Sequence, residues 1–119
     1  MDIPKTSHYG WLRLRLSIAI AIAERGSHEI LSGSVKNNNP GDIEDSEGRL
    51  MNYPDVLSGW RALQAQIDTV YAGSSKHYNV QMTIVEFARV YTGMDDPAAW
   101  SAIVAGMLGV DINTKFCDL

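Results

Sequence analysis

Leu12-Arg13-Leu14-Arg15-Leu16-Ser17-Ile18-Ala19-Ile20-Ala21-Ile22-Ala23-Glu24-Arg25 is the stretch on which the fold turns. Large apolar residues at 12, 14, 16, 18, 20 and 22 alternate with small or charged ones, a period of two that by itself describes a strand. Length and composition point the other way. The alternation is long for a strand, and Leu, Ala and Arg are strong helix formers. Wound onto a helix, residues at period two spread around the whole cylinder, so the segment is expected to be a helix in the middle of a domain.

The same stretch has some marks of an export signal. Lys5, Arg13 and Arg15 precede the apolar run Leu16 to Ala23, and Ala21-Ile22-Ala23 has a small-x-small pattern. The run is at the short limit for such a signal, and its removal would strip the chain of its only long apolar segment. It therefore reads as part of the fold, with no convincing signal peptide, and the localisation stays open.

Around this segment, 119 residues of which 45% are apolar suffice for one modest core and a single domain. Ten basic and 14 acidic residues give a formal charge of −4, which offers no bulk attraction to nucleic acid or to an anionic membrane. No apolar run approaches the roughly 20 residues of a membrane helix, so membrane insertion is not expected either. A single cysteine, Cys117, excludes an internal disulfide framework. His8, His28 and His77 lack metal-ligand spacing, and neither a metal nor another cofactor is expected.

Residues 27–57 change character. Gly33, Asn37-Asn38-Asn39-Pro40-Gly41, Asp45-Ser46-Glu47-Gly48 and Tyr53-Pro54 interrupt short apolar pieces, which predicts an irregular β lobe. Short strands are expected near residues 42–44 and 50–53, joined by the turn at 45–48. From Ser58 the period becomes helical. One helix is expected over 58–72 with Ser58 as N-cap, and a second from the capping box Thr83-Ile84-Val85-Glu86 to Gly93. A third is expected from Asp96-Pro97 to Gly109, burying Trp100, Ile103, Val104, Met107 and Leu108. The expected whole is an α+β, mainly α domain: an N-terminal arm over 1–11, a central buried helix over 12–25, the β lobe over 27–57 and a helical lobe over 58–112.

Chemistry has few candidate carriers. Glu24 closes the apolar helix, and a carboxyl half in the core has a raised pKa, as a general acid near neutral pH requires. The more ordinary reading of the same position is a solvated helix-end residue paired with an arginine. The Asn37–Asn39 amides ahead of Pro40-Gly41 suit recognition of sugar hydroxyl and N-acetyl groups, and equally suit a plain turn. Asp42, Glu44, Asp45 and Glu47 lack a calcium-loop register and read as a solvated acidic turn. Tyr53 and Tyr91-Thr92 are candidates to line a groove, where an aromatic ring stacks on a sugar face.

In order along the chain these features are a helix ending in Ala23-Glu24, then Asn38-Asn39-Pro40-Gly41-Asp42-Ile43, Ser58-Gly59-Trp60-Arg61-Ala62-Leu63, Met82-Thr83-Ile84, Tyr91-Thr92-Gly93 and Trp100 to Val110. Together they resemble the small lysozyme-like, lytic-transglycosylase-like domains of bacteriophages, prophages and some bacteria, over roughly residues 16 to 112. The resemblance implies a lysozyme-like fold and cleavage of the β-1,4 bond between N-acetylmuramic acid and N-acetylglucosamine in peptidoglycan, with Glu24 as the general acid. Asp42 and Glu44 are the available second carboxylates, a single-glutamate lytic transglycosylase being expected if neither faces the cleft, and Asn38, Asn39, Gly41, Tyr53, Tyr91 and Thr92 are the candidate substrate-binding residues. Many relatives have glycine directly after the glutamate. Here Arg25 intervenes, which leaves Glu29 as the alternative acid. The expected partners are peptidoglycan glycan strands and, for a virion-borne domain, other virion proteins. The competing function is a non-catalytic module of the same origin, a phage structural or wall-binding component, because fold does not fix function.

Overall fold

The computed structural model of the chain describes residues 7–119. Its elements are five helices: α1 (Ser7–Arg25), α2 (Ser27–Ser32), α3 (Val56–Tyr71), α4 (Ile84–Thr92) and α5 (Ala98–Leu108). Short 3-10 turns lie at Lys36–Asn38 and Phe116–Asp118. α1 packs chiefly on α5 and α3, and α4 packs on α5.

The alternating segment is helical, and the helix begins at Ser7, earlier than the expected Leu12; of the expected N-terminal arm, residues 1–6 lie outside the described residues. Tyr9 and Leu12 join the core, and the Tyr9 hydroxyl donates to Asp68 Oδ1 at 2.6 Å, tying the first turn of α1 to α3. Tyr9, Leu12, Leu16, Ala19 and Ile20 form the buried face, at the three- and four-residue spacing of a helix stripe. Burial all round the helix does not occur: Trp11 is 50% and Leu14 53% exposed. Small Ser17 and Ala21 widen the buried stripe without closing the far side.

The expectation of an α+β fold with a small β lobe is overturned. Among the described residues there is no strand and no sheet, only two isolated antiparallel bridges, Glu44 with Leu50 and Thr83 with Lys115. The physical reason is local. Asp45 Oδ1 accepts the backbone N–H groups of Glu47 and Arg49, and the Asp45 N–H donates to the Arg49 carbonyl, so the expected turn does form. Beyond the first bridge, the Asn39 amide takes groups that a ladder would use: it donates to the Ile43 and Met51 carbonyls and accepts from the Ile43 N–H, each at 2.9 Å. Asp42, at φ 54, also leaves the extended region. Pairing stops there.

The helical half follows its local signals with shifts of one or two residues. α3 starts at Val56 because Asp55, and not Ser58, is the N-cap; its side chain accepts from the Ser58 N–H at 2.7 Å. α4 has the full capping box, Thr83 and Glu86 each bonding the other's backbone N–H, and ends on left-handed Gly93. α5 starts at Ala98, with Pro97 in the cap position and Asp96 Oδ1 accepting the Ala98 N–H. Trp100 and Val104 are buried on it, Met107 and Leu108 are half-buried, and Ile103 is exposed. The C-terminal segment lies along the start of α4, where the carbonyls of Thr114 and Ile112 accept the N–H groups of Ile84 and Val85. It adds Phe116 to the core.

Candidate active site

The C-terminal end of α1, the turn at 39–44, the end of α4 and the first turn of α5 enclose an open cavity of about 650 Å³. That size is in the range of small-molecule sites, roughly 300–1,000 Å³. Glu24 stands in its wall, with Arg25, Lys36, Asp42, Glu44 and Asp96 supplying the other charged lining. Past Asp42, Glu44 and Tyr91 a smaller cavity of about 200 Å³ continues along Gln66, His77 and Tyr78.

The indole Nε1–H of Trp100 donates to Glu24 Oε1 at 3.1 Å, and the Asp42 carboxyl shares the cavity wall with it, its negative charge bearing on Glu24. Burial pushes the Glu24 pKa up to about 7, and the negative charge of Asp42 pushes the same way, while the Trp100 hydrogen bond and the Arg25 charge oppose them. Because Oε1 accepts from the indole, the proton of the neutral form belongs on Oε2.

Asp42 in turn pairs with Arg25, Oδ1 to Nη2 at 2.8 Å. The same guanidinium donates to the Asn39 carbonyl from Nε at 3.3 Å and Nη2 at 3.2 Å. Arg25 thus grips the turn from the end of α1. Tyr91 grips it from α4, its hydroxyl donating to the Gly41 carbonyl in a short hydrogen bond. The Tyr91 ring stacks on Phe87 and packs against Trp100 and Tyr78, and burial together with the Glu24 charge raises its pKa well above the ordinary phenol value.

The sequence-predicted residues divide into two groups. Glu24, Asp42, Glu44, Tyr91 and Thr92 come together on the cavity wall. Asn38, Asn39, Gly41 and Tyr53 are not among the lining residues and work as scaffold. Asn39 is 0% exposed with its amide spent on the backbone, and Asn38 Nδ2 donates to the Tyr53 carbonyl at 2.9 Å. Gly41 is buried against Leu63. Even on the wall, the Thr92 hydroxyl is occupied, donating to the Ala88 carbonyl and accepting from the Met94 N–H. Glu29 lies outside the cavity lining, accepting the Lys36 N–H at 3.0 Å.

Three contributors were not anticipated. Trp100 sits at a core spacing on α5, and nothing in the period tells that its indole N–H reaches a carboxyl 76 residues earlier. Arg25 carried a signal in its adjacency to Glu24, but its reach to Asn39 and Asp42 is tertiary. Lys36 gave none. Among the described residues no group of three or more His, Cys, Asp or Glu side chains could hold a metal ion.

No family model, curated protein or solved structure matches the chain. What the site can do is therefore read from its own geometry. It offers a carboxyl poised to give up a proton near neutral pH, beside a second carboxyl, in an open cavity with both polar and aromatic walls.

Proposed function

We propose that the chain cleaves peptidoglycan glycan strands at the β-1,4 bond between N-acetylmuramic acid and N-acetylglucosamine, with Glu24 as the general acid. One observation carries the reading: a carboxyl with its pKa raised to about 7 stands in the wall of an open cavity, oriented by Trp100. The order Glu24, then Asn-Asn-Pro-Gly-Asp, supports it, since these motifs meet around that carboxyl through Arg25 and Tyr91. In the reaction Glu24 gives its Oε2 proton to the glycosidic oxygen, the bond from that oxygen to the sugar carbon breaks, and the cationic sugar ring faces the acidic wall of Asp42 and Glu44.

Two branches of the chemistry follow: Asp42 or Glu44, both on the cavity wall, serves as the second carboxylate of a muramidase, or Glu24 works first as acid and then as base, with a hydroxyl of the muramyl sugar as nucleophile, as in a lytic transglycosylase.

Glu24→Gln keeps size and the Trp100 bond while removing the transferable proton, so clearing of outer-membrane-stripped cells falls by about two orders of magnitude or more. Glu29→Gln leaves it intact. Mass spectrometry of the released muropeptides separates anhydro ends, expected for the transglycosylase branch, from the reducing ends of a muramidase. Equal clearing by wild type and Glu24→Gln removes Glu24 as the acid. Wall binding without clearing in the wild type replaces the enzyme with a non-catalytic module.

A further inference from the structure

An acid catalyst works only while the charges beside its carboxyl are held in one arrangement, and the two carboxyls on this wall, Glu24 and Asp42, have unequal surroundings. Asp42 is matched by the Arg25 guanidinium at 2.8 Å, whose side chain is only 10% exposed. Glu24 has the uncharged indole of Trp100. The same guanidinium bonds the Asn39 carbonyl twice and lies 3.8 Å from Glu29, so it is fixed by three groups besides the solvent.

We propose that Arg25 is the positioning residue of the site: by pairing with Asp42 and bonding the Asn39 carbonyl, it tethers the 39–42 turn to the end of α1 and fixes the Asp42 charge beside Glu24. This deepens the reading of Glu24 as an acid and rests on it. The other titratable groups whose charge bears on Glu24 are few. Tyr91 from α4 and Tyr78 from the segment before it are both held neutral by burial. Lys36, Glu44 and Asp96 line the cavity, and none of them is in an ion pair with Glu24. The charged pair Arg25 and Asp42 therefore dominates the electrostatics around Glu24. Arginine suits this post because its planar fork can serve the Asn39 carbonyl and a carboxylate together.

The test is a carbon-13 NMR titration of the Glu24 carboxyl in the full chain, for wild type, Arg25→Gln, Arg25→Lys and Asp42→Asn. Losing the cation in Arg25→Gln removes a positive charge that favours ionised Glu24, so the Glu24 step moves up by about half a pH unit or more. Arg25→Lys keeps the charge and stays within a few tenths of wild type. Asp42→Asn removes the like charge and moves the step down by about one pH unit. A single, unmoved Glu24 step in a natively folded Arg25→Gln protein overturns the proposal. If that variant does not fold, an unmoved step in Asp42→Asn overturns it instead. The titration follows the proton whether or not glycan is cut. A wild type and variants that titrate as expected, with no cleavage by the wild type, remove the enzymatic reading and leave Arg25 in its role. Cleavage by a wild type whose Glu24 step is indifferent to Arg25 does the reverse.

Discussion

α4 and the segment 37–53 are held by opposite means. In α4 the capping box, the buried face of Ile84, Phe87 and Ala88 and the left-handed Gly93 all lie within a dozen residues, and each is satisfied locally or by plain burial. Segment 37–53 has no strand, yet its conformation is as specific. Asn39 fastens it to itself, Asn38 to Tyr53, Arg25 to α1, Tyr91 to α4, and Gly59 lets it lie directly on α3. An element with local hydrogen bonds tolerates the loss of one; an irregular segment held by single long-range contacts does not, because each lost partner leaves a buried polar group unsatisfied.

That contrast can be broken or sharpened by substitution. Gly59→Ala has the largest expected effect. A Cβ at Gly59 would stand 1.8 Å from the Asn38 carbonyl oxygen and 2.8 Å from Pro40 Cδ, contacts that only a backbone shift relieves. Chemical denaturation is expected to show a loss of about 3 kcal/mol or more, with cleavage lost as the turn leaves Glu24. Asn39→Ala comes next. It removes three hydrogen bonds from a fully buried side chain and strands the Ile43 N–H and the Met51 carbonyl, for an expected cost of about 2–3 kcal/mol. If Asn39→Ala proved as mild as a surface change, the 37–53 segment would owe its shape to local preference, and the contrast would fail.

Glu24→Gln sharpens the comparison at the junction of α1 with the turn, and its sign depends on pH. A folded-state pKa near 7 lies above the ordinary 4.5, so the folded protein binds the proton more tightly than the unfolded chain. Stability from this group is fully present below about pH 4.5 and is lost as pH rises through 7. Relative to wild type, Glu24→Gln is therefore neutral at pH 4 and stabilising at pH 8, by about 1–2 kcal/mol once solvent screening of a half-buried group is allowed for. Thermal melts at the two pH values check it, and a variant less stable than wild type at pH 8 would sink the raised pKa. By the same sign, wild-type cleavage declines above pH 7 as Glu24 loses its proton. Thr83→Ala on α4 has the smallest expected effect, about 1 kcal/mol for one lost cap, with cleavage unchanged.

Legibility followed the same division. The helix over the alternating segment, the α4 capping box and the glycine that ends each of α4 and α5 were readable because caps and helix propensity act within one turn. The β lobe was misread for the complementary reason. Turn residues at 45–48 announce a hairpin, but no local rule says that Asn39 takes the next ladder groups. At the site, Glu24 was legible as a carboxyl on an apolar helix end, while Asn38, Asn39 and Gly41 looked like ligand-binding groups and are scaffold. Amide and turn chemistry suits both tasks, and only the partners tell them apart.

Sequence alone determined where chain direction and burial are set by neighbours: that four segments, near 12–25, 58–72, 83–92 and 97–108, are helical, where they stop, and which carboxyl sits against apolar residues; it placed residues 27–32 in a β lobe, and they form α2. Tertiary structure alone decided that Arg25, Asp42 and Trp100 meet at that carboxyl, that Glu29 stays away from the cavity, and that one side of α1 remains exposed. The physical reason is range. Propensity, capping and periodicity act over a few residues, whereas the Glu24 pKa is set by desolvation, by the Asp42 charge 18 positions away and by the Trp100 hydrogen bond 76 positions away, which become neighbours only when the core closes.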